Sequence, residues 1–263
     1  MNYELSIMNL TIVKVGGKIV EEPATLAALI KDFARIEGPK LLVHGGGRSA
    51  TRLAGQLGIE QKMVDGRRIT DLETLRVVTM VYGGLVNKNI VTSLQAAGIN
   101  AIGLTGADMD IIRSHRRPAG EIDYGYVGDV DKVDAQAIAR LIEAGLVPVI
   151  APLSHDGKGS MLNTNADTIA SEVAQALAPL YDTTLTFCFE KAGVLADEND
   201  DNSVIEKIDR ATYQQLRDQN IIAGGMIPKL DNAFKALESG VKEVIITRAD
   251  ALAIPGRGTV ICN

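Results

Sequence analysis

The sequence predicts an α/β fold with a largely parallel sheet, and three observations carry the prediction. Short apolar runs alternate along most of the chain with stretches whose apolar residues recur every three or four positions, the rhythm of buried strands joined by covering helices. The apolar runs have the length of strands and are bounded by turn residues. Two of them end in glycine clusters, Gly16-Gly17 and Gly45-Gly46-Gly47, which let the chain leave a strand sharply and approach a ligand closely.

In chain order, Leu10 to Val15 reads as the first buried strand and Ala24 to Ile36 as an amphipathic helix after it. Lys40 to His44 and Ser49 to Leu57 repeat the pair. Lys62 to Thr70 breaks the rhythm, because Asp65-Gly66 between two short extended pieces signals a hairpin. Asp71 caps a long helical stretch, which Gly83-Gly84 is expected to interrupt before Leu85 to Ala97 continues it. Ala101 to Leu104 is the next strand. Residues 105 to 133 carry polar turns and antiparallel strands around Ile111 and Val127, an excursion suited to covering a substrate, making a subunit contact or forming a plain structural flap. Ala135 to Ala144 (helix) and Val147 to Ala151 (strand) resume the alternation. A helix carrying Asp167 runs toward Ala178, and Pro179 ends it, so a lobe boundary is expected within Leu177 to Asp182. Leu185 to Phe189 and Glu243 to Thr247 are two more strands. Asp197 to Ser203 is an acidic, solvated turn, and Pro228 is set to open a helix at its first position.

Length and composition bound the function. At 263 residues the chain can bury a large core as one α/β unit or two fused lobes. Apolar residues make up 46% and charged residues 23%, so no part reads as a disordered tract. A net charge of −6 argues against a nucleic-acid partner while leaving room for a local basic pocket. The run Arg113-Ser114-His115-Arg116-Arg117 has no interleaved aromatic residues and reads as a solvated loop. Cys188 and Cys262 lie in no metal-like spacing, and His44, His115 and His155 are far apart in sequence, so neither a disulfide framework nor a zinc site is expected. No signal-like segment opens the chain and no apolar run reaches membrane-spanning length, so a cytoplasmic protein without a membrane partner is expected.

The chemistry is carried by four short motifs in a fixed order. Lys14-Val15-Gly16-Gly17 and His44-Gly45-Gly46-Gly47 close strands, Asn163-Thr164-Asn165-Ala166-Asp167 enters a helix, and Gly224-Gly225-Met226-Ile227-Pro228-Lys229 opens another. Glycine turns offer backbone N–H donors to an oxyanion, the lysines offer mobile positive charge, and Asp167 is placed to hold them. Each motif also has an ordinary reading. The glycines make tight turns, Lys14 sits on an exposed loop, Asp167 complements a helix dipole, Asn163 and Asn165 cap or turn the chain, and His44 is a structural histidine. Lys229 resists such a reading, because a cation gains nothing from the positive end of a helix and a bound anion there accounts for it. Arg67-Arg68 is either surface charge or a fork for a carboxylate. Together the motifs point to phosphoryl transfer.

The ordered set strand-Lys-x-Gly-Gly, strand-His-Gly-Gly-Gly, Gly-x-Arg-x-Thr, Asn-x-Asn-Ala-Asp and Gly-Gly-Met-Ile-x-Lys resembles the amino acid kinase family, from Lys14 to Gly258-Thr259. Within it the chain is similar to the members of arginine biosynthesis that phosphorylate the side-chain carboxylate of an N-acylated glutamate. The resemblance implies an open three-layer α/β/α sandwich around roughly eight mainly parallel strands. Residues 1–178 would bind the acyl amino acid and residues 179–263 the nucleotide. ATP would be the phosphoryl donor, with Mg2+ carried by its phosphates and no metal held by the protein. Lys14 and Lys229 would stabilise the transferring phosphoryl group, with Asp167 holding both. Gly16, Gly17 and Gly46 would bind phosphate. Gly46, Gly47, Arg68, Asn163 and Asn165 would bind the substrate, Arg68 at its α-carboxylate. Glu190, Lys191, Gly193, Gly225 and Met226 would meet the nucleotide. The acyl group would be acetyl, or succinyl if Arg67, Arg113, Arg116 or Arg117 pairs with a second carboxylate.

The chain departs from the family pattern at one motif. Where Asp-Val-x-Gly-Val is expected after a strand, Phe189-Glu190-Lys191-Ala192-Gly193-Val194 stands, with Glu190 a longer substitute for the aspartate. Arginine-inhibited members carry an extra helix before the first strand, whereas here Met1 to Asn9 precede it, so an unregulated homodimer is expected, touching through the helix that carries Leu75 to Val81 and its continuation. The alternatives are another carboxylate or carbamate kinase of the same fold and a catalytically silent ligand-binding relative. The two lysines and Asp167 speak against the silent relative.

Overall fold

A computed structural model describes residues 8–64, 67–197, 199–222, 224, 226–254 and 256–262. The Asp65-Gly66 turn, Gly225 and residues 1–7 of the leading segment lie outside the described residues.

The first half of the chain delivers the expected strands and helices almost where their apolar spacing put them. They are β1 (Asn9–Val15), α1 (Gly17–Glu21), α2 (Pro23–Arg35), β2 (Lys40–His44), α3 (Gly47–Gln56) and the hairpin β3 (Met63–Val64) and β4 (Arg67–Arg68). Helix α4 (Leu72–Val78) follows, capped by the Asp71 carboxylate, which accepts from the Thr74 N–H at 2.7 Å. The expected break at Gly83-Gly84 is corrected: the chain stays helical through a π-helical segment, Thr79–Val86, directly into α5 (Asn87–Ala96). Glycine weakens a helix without forbidding it, and burial of Val81, Tyr82 and Val86 outweighs its cost.

Next come β5 (Ala101–Leu104), β6 (Ile112–Arg116), β7 (Gly128–Val133), α6 (Ala135–Glu143), β8 (Val147–Ile150), β9 (Leu153–His155), β10 (Met161–Asn163) and α7 (Ala166–Leu177). The excursion is real: β6 pairs antiparallel with β7 and joins β9 and β10 in a small second sheet. The chain closes with β11 (Asp182–Phe189), β12 (Lys207–Ile208), α8 (Arg210–Asp218), α9 (Met226–Glu238), β13 (Glu243–Arg248) and β14 (Thr259–Ile261). Helix α9 begins at Met226, two residues before the position expected from Pro228. Proline is tolerated there because N–H groups of a first helical turn have no intrahelical acceptor.

The main sheet has eight strands in the order β12-β14-β13-β11-β1-β2-β8-β5. The six from β13 to β5 are parallel, and β14, antiparallel to β13, carries β12 alongside it. Alternation along β1 sorts the core into two layers. Leu10 and Ile12 pack with Ile138, Val173 and Phe234 of α6, α7 and α9, while Val13 and Val15 pack with Leu29, Phe33 and Ile90 of α2 and α5. Lys14 shares the period of Leu10 and Ile12, so its side chain leaves the strand toward α7. The carboxyl ends of β1 and β2 lie side by side, and their glycine turns meet there, as in the crevice where open α/β sheets bind ligands.

His44, at the end of β2, is fully buried and structural. Its Nδ1–H donates to the Gly45 carbonyl at 2.7 Å, which leaves Nε2 to accept from Asn87 Nδ2 at 3.1 Å and fixes a neutral ring. Burial pushes its pKa down to about 4, opposed by the Gly45 bond and helped by the Lys88 charge. The folded state therefore resists protonation that the unfolded chain accepts near pH 6.5, so stability is complete above that pH and declines as pH falls toward 4. Denaturation of wild type and His44→Gln at pH 7.5 and 4.5 checks this. The wild type should lose about 3 kcal/mol more than the variant across that interval.

Candidate active site

The site is assembled where β1, β2, β11 and the first turns of α3, α7 and α9 come together. Lys14 is 6% exposed, and its Nζ lies 2.7 Å from Asp167 Oδ1. The ordinary reading of Lys14 as an exposed loop residue is thereby excluded. Asp167 is the second residue of α7, whose N-cap Asn165 accepts from the N–H groups of Asp167 and Thr168 at 2.8 and 3.0 Å. The Asn165 side chain thus sets the helix start that aims Asp167 at Lys14. Among the described residues Asp167 forms an ion pair with Lys14 alone and reaches Lys229 only as a field. Lys229 is half-buried; burial lowers its pKa and the Lys14 charge adds to the effect, while Asp167 opposes both.

The glycine turns abut. A Cβ built on Gly17 would lie 3.1 Å from the Gly46 nitrogen and 3.3 Å from the Gly47 nitrogen, and one on Gly45 would lie 2.9 Å from the Gly17 nitrogen. Backbone amide nitrogens from two strand ends therefore converge, a cradle for an oxyanion, with the Glu21 Oε1 at its border, 3.4 Å from the same Cβ position on Gly17. Gly46 is also pressed on its other side, since a Cβ there would meet Tyr82 at 2.9 Å. Gly16 N–H donates to the Cys188 carbonyl at 3.3 Å, tying the turn to β11.

Two adjoining cavities share Gly47, Met63 and Arg68. The smaller, about 220 Å³, is lined by Gly46, Arg68, Tyr82, Arg117, Asn163 and Asn165 among others. The larger, about 650 Å³, is lined by Gly16, Gly17, Arg48, Phe189 and Glu190 among others. Arg68 is buried and held as a fork: Nη1 donates to Gln61 Oε1, and Nη2 donates to the Gly47 carbonyl and to Thr51 Oγ1, each at 3.0 Å. Asn163 Nδ2 donates to Thr70 Oγ1 at 3.0 Å from β10. Arg67 is exposed and also borders the smaller cavity.

The residues expected to meet the nucleotide are less uniform. Glu190 lines the larger cavity and pairs with Lys18 at 2.7 Å and Arg48 at 3.8 Å. Lys191 pairs with Asp201 at 3.2 Å. Gly193 packs tightly, as a Cβ there would lie 2.7 Å from Thr259 Oγ1. Met226 opens α9 and packs against the core. Cys188 is buried beside the site, and burial pushes its thiol up to about 12, so it is no nucleophile.

Comparison with known proteins is consistent over the whole fold. The model of the amino acid kinase family matches residues 9–248. The chain belongs to the amino acid kinase family. An acetylglutamate kinase of Phocaeicola vulgatus is 68% identical over 252 residues, covering 96% of this chain and 98% of that protein. One from Methanopyrus kandleri is 39% identical over 254 residues, covering 95% and 99%. Among solved structures, a carbamate kinase from Giardia shares the fold at a TM-score of 0.72 and 14% identity, covering 98% of this chain and 100% of that one.

Two participants, Tyr82 and Glu21, carried no usable sequence signal. Tyr82, within the π-helical segment, has its ring against Gly46. Its hydroxyl pKa is raised by burial, against the opposing effect of Arg68. Glu21 caps α3 from a distant element, its Oε1 accepting from the Ser49 N–H at 2.9 Å. Arg117, one of four arginines offered for a second carboxylate, is the one that the fold carries to the wall of the smaller cavity along with Arg67.

Proposed function

We propose that this protein is an ATP-dependent acetylglutamate kinase of arginine biosynthesis, making an acyl phosphate from the side-chain carboxylate of an N-acylated glutamate. The convergence of the Gly17, Gly46 and Gly47 nitrogens beside the Lys14–Asp167 pair carries the reading. The γ-carboxylate, with a reference pKa of about 4.3, is already an anion and needs no general base. One of its oxygens attacks the γ-phosphorus, and the bond from that phosphorus to the bridging oxygen breaks, releasing ADP. The task of the protein is to bring two anions together and to neutralise the charge that spreads over the transferring oxygens.

Lys14, Lys229 and the glycine N–H groups perform that task, and Asp167 fixes Lys14. Residues 1–178 bind the acyl amino acid in the smaller cavity, with Arg68 on its α-carboxylate and Asn163 beside it. Residues 179–263 bind the nucleotide on the side of Phe189 and Glu190. Mg2+ would be held by the nucleotide phosphates rather than by this chain and would supply screening of their charge. Among the described residues no group of three or more His, Cys, Asp or Glu could hold a metal ion, and none is long and apolar enough as a helix to cross a membrane. A cytoplasmic location fits this biosynthetic role.

Lys229→Ala should lower kcat by roughly a hundredfold or more with little change in the KM for the acyl amino acid, since its charge acts chiefly in the transition state. Arg68→Ala should instead raise that KM with a smaller effect on ATP. Steady-state kinetics with a coupled ADP-release assay measures both. Near-normal kcat in the Lys229 variant would remove it from the site.

A second reading concerns the acyl group. Arg117 is held by Asp129, with Nε at 3.2 and 3.1 Å from the two carboxylate oxygens, and lies over the Tyr124 ring at 5.5 Å, while its Nη1 is buried without a hydrogen-bond partner among the described residues. With Arg67 on the same wall, this offers a second carboxylate a place and favours N-succinylglutamate as a substrate. Comparing kcat/KM for the acetyl and succinyl compounds in wild type and Arg67→Ala tests it, and a preference for the acetyl compound in both proteins would end it.

The protein is further proposed to be a homodimer. Leu72, Met80 and Leu85 leave exposed apolar surface on the helix from α4 through the π-helical segment, the same helix expected to form the contact. Light scattering should give twice the chain mass, and Met80→Lys should shift the protein toward monomer.

A further inference from the structure

The segment that departs from the family pattern begins with an aromatic residue, and that residue lies beneath both candidate catalytic lysines. The Lys229 Nζ is 3.8 Å from the centroid of the Phe189 ring, and the Lys14 Nζ is 5.0 Å from it. Lys14 has a carboxylate at 2.7 Å. Lys229 has none within ion-pair distance among the described residues, and its ammonium rests against the ring face. We propose that Phe189 is a positioning residue for phosphoryl transfer, a cation–π seat that holds Lys229 charged and in place while the phosphoryl group is absent. This rests on the proposed role of Lys229.

The sequence and the fold both prepare the seat. Alternation along β11 puts Leu185, Phe187 and Phe189 on the face that covers α7 and α9, the face to which β1 sends Lys14. Phe187 is fully buried, and its ring lies at 6.1 Å and 3° from that of Phe189, so the neighbour fixes the plane of the seat. Two ammonium groups brought together for one anion repel each other before it arrives, and each is partly stripped of water. Burial and the Lys14 charge favour neutral Lys229; Asp167 favours the charged form. The negative face of an aromatic ring adds to the second side without bringing a carboxylate that would repel the phosphate.

The other charges around Lys229 are engaged elsewhere. On α9, Asp231 accepts from the Tyr213 hydroxyl at 2.7 Å. Glu190, the first residue after β11, pairs with Lys18 and Arg48. Phe189 also borders the larger cavity, so the ring touches the space in which the phosphates are proposed to lie.

The test compares wild type, Phe189→Leu, Phe189→Tyr and Lys229→Ala by kcat, by both KM values and by the pH dependence of kcat from pH 6 to 10. Leucine keeps the apolar bulk and removes the ring. Phe189→Leu should lose roughly tenfold in kcat, about 1.4 kcal/mol, with KM for the acyl amino acid unchanged, and the high-pH limb should move to lower pH. Phe189→Tyr should restore both kcat and the limb. Adding Phe189→Leu to Lys229→Ala should cost nothing further. The seat is overturned if Phe189→Leu keeps wild-type kcat and limb while Lys229→Ala is crippled, or if its only effect is a raised KM for ATP, which would make the ring a nucleotide contact. Wild-type kcat in Lys229→Ala would instead overturn the role of Lys229 on which the proposal rests.

Discussion

A lysine ammonium at the end of the central parallel strand is costly to bury, and its pair with Asp167 sets conditions that the surrounding elements meet. The strand must bring Lys14 out on the side of α7, which the period of Leu10 and Ile12 does. Helix α7 must start at a fixed residue, and the Asn165 cap fixes it. Its first turn adds the positive end of a helix dipole, which favours the Asp167 carboxylate. A buried pair of this kind is weak evidence for stability, because removing the charges and repacking with apolar side chains is often neutral or better. Its place beside the Gly16-Gly17 turn fits the role proposed for the ammonium.

The remaining charge follows the same logic at a larger scale. The chain carries a net charge of −6, yet the two cavities are bordered by Arg67, Arg68, Arg117, Lys18, Arg48 and Arg52. Positive charge is concentrated where two anions are proposed to meet, and acidic residues gather elsewhere, as in the turn around Asp197, Asp200 and Asp201. A wall of fixed guanidinium groups can attract substrates without adapting its shape, since Arg68 and Arg117 are each held by protein acceptors.

Much of the architecture was legible because it rests on local pattern. Buried strands of the main sheet announce themselves as apolar runs, and the Asp71 cap and the hairpin strands β3 and β4 have short-range signatures. The site was legible in a different way. Lys14, Asp167 and the glycine turns are ordinary singly and become specific only as an ordered set, and the fold brings them together. What stayed hidden depends on distant contacts. Nothing in the sequence near Gly83-Gly84 says that the helix widens rather than breaks, because Tyr82 and Val86 are held by partners far along the chain. Glu21 caps a helix from 28 positions away, and β12, two residues long, is defined by its pairing with β14 rather than by any pattern of its own.

Strands β1 and β11 meet in an unbroken ladder, residue for residue from Asn9 with Asp182 to Val15 with Cys188. That seam joins the part of the sheet carrying the smaller cavity to the part that leads on to Lys229. A ladder of this length resists being pulled apart, since every hydrogen bond would go at once, and it carries the built-in twist of a β-sheet. The cleft above the seam is therefore shaped less like a hinged jaw than like the edge of a twisted propeller blade. Lys14 and the glycine turns stand close to the axis of that twist, while the outlying helices stand farthest from it.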